Sequence, residues 1–276
     1  MKVHHLNCAT ICTLGGRLVT GQGISLGMAS LVCHCLLIET EKGLVLVDSG
    51  FGLDDISRPA ERLGFFMGSG LVMYPKFDIE ETAARQVERL GFKRADVRHI
   101  VLTHLDLDHA GGIGDFPEAQ VHVFAAELEA AKARATSNER MRYRPAQLAH
   151  ARFAPHAALA GERWFGFECV REMPGLPPEI LMIPVQGHTR GHCAVAVDTG
   201  AQGWLLHAGD AYFYRGETQD GSCPAGLNLF QRFMAVDGAA RISNQRRLRE
   251  LAQNQSGRVR VFCAHDSVEL EDCLKP

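Results

Sequence analysis

The chain has 276 residues, 46% hydrophobic and 22% charged, with a formal net charge of −3 at pH 7. That is ordinary globular usage in a chain long enough to bury a sizeable core. It provides no global basic field for nucleic acid, and no apolar run reaches the length of a membrane span. Nine cysteines, scattered from Cys8 to Cys273, read as buried thiols of a reducing compartment rather than a disulfide scaffold. "MKVHHLNCATIC" contains no apolar leader segment, so a cytoplasmic protein is expected.

In chain order, "LVCHCLLIET" (31–40) and "GLVLVDSG" (43–50) read as two strands joined by a tight turn, with Cys33 and Cys35 on one strand face. Asp78 and Glu81 form a capping box for a helix carrying Ile79, Ala83, Val87 and Leu90, stopped by Gly91. "RHIVLTH" (98–104) and "QVHVF" (120–124) are short buried strands, and 125–135 is a helix. Residues 136–178 read as an irregular aromatic lid or connection. The basic run Lys132, Arg134, Arg140, Arg142 and Arg144 reads first as a solvated face and second as a site for a carboxylate or phosphate. Strands return at 179–185, 193–199, 203–209 and 258–264. Between the last two, Ile242, Leu248, Leu251 and Ala252 are expected on one helical face. The order suggests two α/β halves.

Four of these strands end in candidate metal ligands. They lead into His104-x-Asp106-x-Asp108-His109, into "QGHTRGH" with His188, into "AGDAYF" with Asp210, and into "AHD" with His265. If 104–106 is extended, His104 and Asp106 point to one side, and a bend into "AGG" turns Asp108 and His109 toward a second point. One segment can then serve two ions. His4, His5, His99, His122, His150, His156, His192 and His207 read as non-ligands, with His192 placed to support a ligand from behind.

Together, HxDxDH, GHTRGH, GDA and the late AHD make this chain resemble the metallo-β-lactamase superfamily. The resemblance runs from "LVLVDSG" near 48 to "FCAHD" near 265, and is nearest to the compact bacterial hydrolases that include acyl-homoserine lactonases. It implies an α/β fold, an αββα sandwich of two mixed sheets flanked by helices, formed by a single domain over 1–276 with lid segments near 52–77 and 136–178. It implies two divalent metal ions, zinc first and manganese or iron as alternatives. His104, Asp106 and His188 would hold the first ion; Asp108, His109 and His265 the second; Asp210 would bridge them, and Asp48 would orient ligands from behind.

The activity implied is attack of a hydroxide shared by the two ions on an ester-like bond, foremost a lactone. The alternatives are a thioesterase or glyoxalase-type hydrolase and a di-iron redox protein on the same fold. Asp108 would shuttle the proton to the leaving group, and Tyr212 would donate to the oxyanion, with Tyr214 as alternate. The expected partner is a small-molecule substrate, with no nucleic acid and no membrane. The apolar stretch 63–75 reads as a lid over an acyl chain, as plain core packing, or as a homodimer interface.

The family pattern has histidine where this chain has Asp106. Asp106 is read first as an oxygen ligand, then as a group too short to reach, then as a base accepting from bound water. With Asp106 as a ligand, two divalent ions, three carboxylates and one hydroxide sum to zero charge, one positive charge fewer than with histidine. Bound water would then be less acidified and harder ions relatively favoured.

Overall fold

Residues 31–38 are buried on both faces, and this decides where they can lie: a strand apolar on two sides must sit between two layers. The structure, a computed structural model, describes residues 1–25, 27–68, 73–157, 162–200 and 202–275. Strands β1 (Lys2–Leu14), β2 (Met28–Thr40), β3 (Gly43–Val47), β4 (Met73–Pro75), β5 (Val97–Val101), β6 (Gln120–Phe124) and β7 (Arg152–His156) make a seven-stranded sheet in the order β4-β1-β2-β3-β5-β6-β7. Strands β8 (Arg163–Trp164) and β9 (Phe167–Glu168) form a small hairpin. Strands β10 (Ile180–Pro184), β11 (Cys193–Asp198), β12 (Trp204–His207) and β13 (Val259–Phe262) form the second sheet in that order. Both sheets are mixed: β1, β2 and β3 pair antiparallel while β3, β5, β6 and β7 run parallel, and β13 pairs parallel to β12.

Period-two alternation sorts side chains between layers. Leu36 and Ile38 of β2, with Val45 and Val47 of β3, meet Ile180, Met182, Val195 and Val197 of the second sheet between the sheets. Their neighbours Cys35, Leu37, Leu44 and Leu46 point outward to Ala83, Ala84 and Val87 of the helix Ala83–Arg89. On the second sheet, Leu181, Ile183, Ala194 and Ala196 likewise face Leu248 and Leu251 of the helix Gly238–Asn254. The expected αββα sandwich is the observed fold. Among the described residues no helix is long and apolar enough to cross a membrane.

Four local expectations are corrected. The helix begun at Asp78 breaks: Asp78 caps a single 3₁₀ turn, Ile79–Glu81, and Thr82 caps a new helix by accepting from Arg85 N–H. On Gly238–Asn254 the buried residues are Arg241, Asn244, Leu248 and Leu251, while Ile242 is 59% exposed. At 3.6 residues per turn Ile242 lies well off the 248/251 face. The stretch 136–178 is more than a lid, since β7 within it extends the first sheet beside β6. β1, not foreseen, pairs along β2. In the 63–75 stretch, Leu63 packs with Ile11, Leu31, Phe51 and Leu107, and β4 pairs with β1; residues 69–72 fall outside the described residues.

Candidate metal centre

After β5 the chain passes through His104 and Leu105 to Asp106, whose backbone is extended, then turns into the short helix Leu107–Ala110. Leu105 enters the core, so His104 and Asp106 share the opposite side, as strand alternation requires. Gly111 and Gly112 sit where a Cβ would strike the Asp55 carboxylate and the Ser49 carbonyl, so the bend needs glycine. His188, Asp210 and His265 follow β10, β12 and β13, and the seven expected ligands gather at one edge of the two sheets.

Two donor sets result. In the first, His188 Nε2 lies 3.0 Å from Asp106 Oδ2 and 3.3 Å from Asp210 Oδ2, and His104 Nε2 lies 3.4 Å and 3.7 Å from the same two oxygens. In the second, His265 Nε2 and His109 Nε2 are 3.4 Å apart, 3.1 Å and 3.3 Å from Asp210 Oδ1, and 3.6 Å and 3.9 Å from Asp108 Oδ2. Tetrahedral zinc with bonds of about 2.0–2.1 Å to nitrogen and oxygen needs donors about 3.3 Å apart. His104, Asp106, His188 and Asp210 lie together near that spacing, as do His109, His265 and Asp210, while Asp108 stands wider at 3.6 Å and 3.9 Å and gathers with His265 and the Cys33 thiol; Asp210 turns one oxygen toward each set. His104 Nε2 and Asp106 Oδ1 are buried with no hydrogen-bond partner among the described residues, a costly state in a core unless a cation collects them. The residues fit a pair of divalent ions.

The charges are shared across the centre: against burial, Asp210 foremost raises His109 and His265, so these two imidazoles must give up a proton to bind metal. Burial would raise Asp210, but His265, His109, His188 and His104 together hold it well below the usual carboxylate range. Burial likewise opposes Asp106, and Arg142 and His104 outweigh it. Burial and the nearby Arg142 lower His188 to about 4, which keeps its imidazole in the neutral form that binds metal.

The ligands are held from behind. Asp48, in the left-handed region at φ 57° and 1% exposed, accepts from His109 Nδ1 at 2.8 Å, Thr103 N–H at 2.8 Å and the Thr103 hydroxyl at 2.8 Å. Thr103 Oγ1 in turn lies 3.0 Å from His104 Nδ1. His265 Nδ1 donates to the Val32 carbonyl at 2.7 Å, and His192 Nε2 accepts from Asp210 N–H at 2.8 Å. These bonds turn the Nε2 atoms of His109 and His265 inward. Asp48→Asn is therefore expected to weaken metal affinity by about 10–100-fold, measured by chelator competition. Unchanged affinity would remove Asp48 from this role.

Sequence reasoning missed several members. Arg142, expected in solvent, is buried, and its Nη1 donates to Asp106 Oδ2 at 2.9 Å. Glu127 accepts from Leu105 N–H at 3.1 Å, the Tyr143 hydroxyl at 3.0 Å and Gly191 N–H at 2.9 Å. Cys33 donates its thiol to Asp108 Oδ2 at 3.6 Å. For Arg142 the only signal was Asp106 itself, because an added buried carboxylate calls for a cation.

Tyr212 is not brought to the centre. It is fully buried in the outer core of the second sheet, and its hydroxyl donates to Glu269 at 3.0 Å. Strand-end alternation sends its neighbour Phe213 inward instead, stacked on His265 with centroids 5.0 Å apart and 5.7 Å from His188. A phenyl ring has no proton to give an oxyanion. Tyr214, the alternate, is half-buried and lines a small cleft with Phe213, Leu31 and His265.

The remaining histidines lie elsewhere. His5, His34 and Cys273 gather apart from the centre, with His5 Nδ1 and His34 Nε2 2.8 Å apart. His99, His122 and His156 form a row across β5, β6 and β7, with contacts of 3.0 Å and 2.9 Å. Burial, then the neighbouring His156 and His99, lower His122 to about 3. Unfolded histidine titrates near 6.5, so the stability this group contributes is complete above about pH 6.5. It is lost as pH falls toward about 3, at up to roughly 1.4 kcal/mol per unit. Urea melts between about pH 7 and about pH 4.5 should show a shallower loss in His122→Leu. Identical slopes would contradict this.

The family model described as the Metallo-beta-lactamase superfamily matches residues 30–243. The chain is 43% identical over 268 residues to a probable metallo-hydrolase of Mycobacterium tuberculosis, covering 96% of this chain and 80% of that protein. It is 26% identical over 246 residues to an N-acyl homoserine lactonase of Bacillus cereus, covering 89% of this chain and 86% of the relative. Among solved structures, an N-acyl homoserine lactone hydrolase with the product N-hexanoyl-L-homoserine at its catalytic metal center is similar at TM-score 0.72 and 23% identity, over 99% of this chain and 96% of that one. At that identity the likeness speaks for the fold.

Proposed function

The chain belongs to the metallo-beta-lactamase superfamily and is a metallo-hydrolase, and from that premise we propose that it hydrolyses an ester-like bond, foremost a lactone, at a two-metal centre. The observation that carries this reading is Asp210, whose Oδ2 faces His104 and His188 and whose Oδ1 faces His109 and His265. The lactonase relatives, alike over most of both chains, favour the lactone. We assign His104, Asp106, His188 and Asp210 to the first ion, and Asp108, His109, His265 and Asp210 to the second.

Two bound divalent ions, zinc by this donor set, would supply an activated water and polarise the carbonyl oxygen. The chain's own residues supply the rest. Asp108 is the most open of the carboxylates, its side chain 15% exposed, and suits proton transfer to the leaving alkoxide. Phe213 walls the histidines and limits water. Asp48, Thr103 and His192 keep ligands oriented before substrate arrives. The substrate in this reading is a small molecule.

Hydrolysis of lactones, thioesters, aryl esters and phosphodiesters by zinc-, manganese- and iron-loaded protein tests the reading. Lactone turnover supports it. Turnover confined to thioesters would move the assignment to the thioesterase class. Oxygen consumption by the iron form without hydrolysis would favour redox chemistry.

A further inference from the structure

Arg142 ends the helix Ser137–Arg142 and is 2% exposed. Its Nη1 donates to Asp106 Oδ2 at 2.9 Å and lies 3.1 Å from His188 Nε2. A guanidinium keeps its charge in a protein, so a permanent cation stands against the first donor set, where a second cation is to bind. Arg142 is also anchored from outside that set. Its Nε donates to Asn138 Oδ1 at 2.6 Å and its Nη2 to the Met234 carbonyl. The helix is fixed by a capping box between Thr136 and Glu139, and the next residue, Tyr143, is tied to Glu127. The surrounding fold thus holds the guanidinium in place beside Asp106.

We propose that Asp106 and Arg142 act as one unit, equivalent in charge to a single neutral donor: Arg142 returns the positive charge that Asp106 removes, and so limits how tightly the first ion is held. This rests on the two-metal reading above. The arithmetic is simple. Changing histidine to aspartate at 106 lowers the charge of the centre by one, and a buried arginine restores it. In a water-poor site neither charge is screened, so each should be felt at the first ion. The alternative is that Arg142 merely clips its helix to the centre. The two differ in sign, because losing a clip loosens the ion, whereas losing a compensating cation tightens it.

The test is zinc affinity of the full chain by chelator competition, in wild type, Asp106→His, Arg142→Gln and the double variant. Asp106→His, which sets an imidazole and an ion directly against the guanidinium, is expected to weaken the first ion at least about tenfold. Arg142→Gln alone is expected to tighten it severalfold, and the double variant to return to within about threefold of wild type. The proposal is overturned if Asp106→His binds as tightly as wild type, if Arg142→Gln weakens binding, or if the double variant is no better than Asp106→His. Should circular dichroism show that Asp106→His does not fold, the sign of the change in Arg142→Gln decides alone. Wild-type protein taking up fewer than two zinc ions at saturation would instead remove the two-metal reading itself.

Discussion

Asp210→Ala is expected to hold fewer than about one ion per chain and to lose at least about a thousandfold in kcat/KM. Asp210 is the one residue shared by both donor sets, with oxygens 3.1 Å and 3.3 Å from His265 and His109 on one side and 3.3 Å from His188 on the other. Alanine leaves three protein donors on each side and removes the anion between two cations. Among the described residues its other hydrogen bond is from its backbone N–H to His192, which alanine keeps, so the fold around it should survive. Atomic emission on purified protein and initial rates on the best ester substrate are the measurements. Two ions retained per chain would deny Asp210 its bridging role.

Glu127→Leu is the second large effect, and it should fall on stability first. The carboxylate is fully buried and accepts three hydrogen bonds, from the HLDLDH segment, the GHTRGH loop and Tyr143. Leucine leaves two backbone N–H groups and a phenol unpaired, each at about 1–3 kcal/mol, so a total loss of at least about 3 kcal/mol is expected. The backbones are already in contact: a Cβ at Gly191 would strike Glu127 N, leaving little room to repack. Urea melts of metal-free protein isolate this effect from ion binding. A loss below about 1 kcal/mol would mean that water replaces the carboxylate.

The parts of this fold that could be read from the sequence are those where one residue pattern had one cause. β6 was expected at 120–124 and lies there, because its flanks and apolar run allow little else. The ligand-bearing turns were visible because unlike residues recur at strand ends, and the structure gathers all seven. What stayed hidden depends on contacts distant in sequence. Arg142 meets Asp106 from 36 residues away, out of a stretch without periodicity. β1 carries polar histidines whose partners, such as Glu39 and His34, lie on β2, so its own sequence does not announce a strand. Tyr212 was misplaced by one position because the facing of adjacent residues after β12 depends on register, and a shift of one exchanges inside for outside.

The two donor sets draw on both sheets. His104, Asp106, Asp108 and His109 come from the first, and His188, Asp210 and His265 from the second. Ions bound there would rivet one layer to the other along an edge that hydrogen bonds such as Gly191 N–H to Glu127 and His265 Nδ1 to the Val32 carbonyl already cross. Their binding energy would then count toward cohesion of the sandwich as well as toward chemistry. Ion supply would govern how long each molecule lasts as well as how fast it works. A chain that had lost its ions would be inactive and also the first to be cleared by proteases.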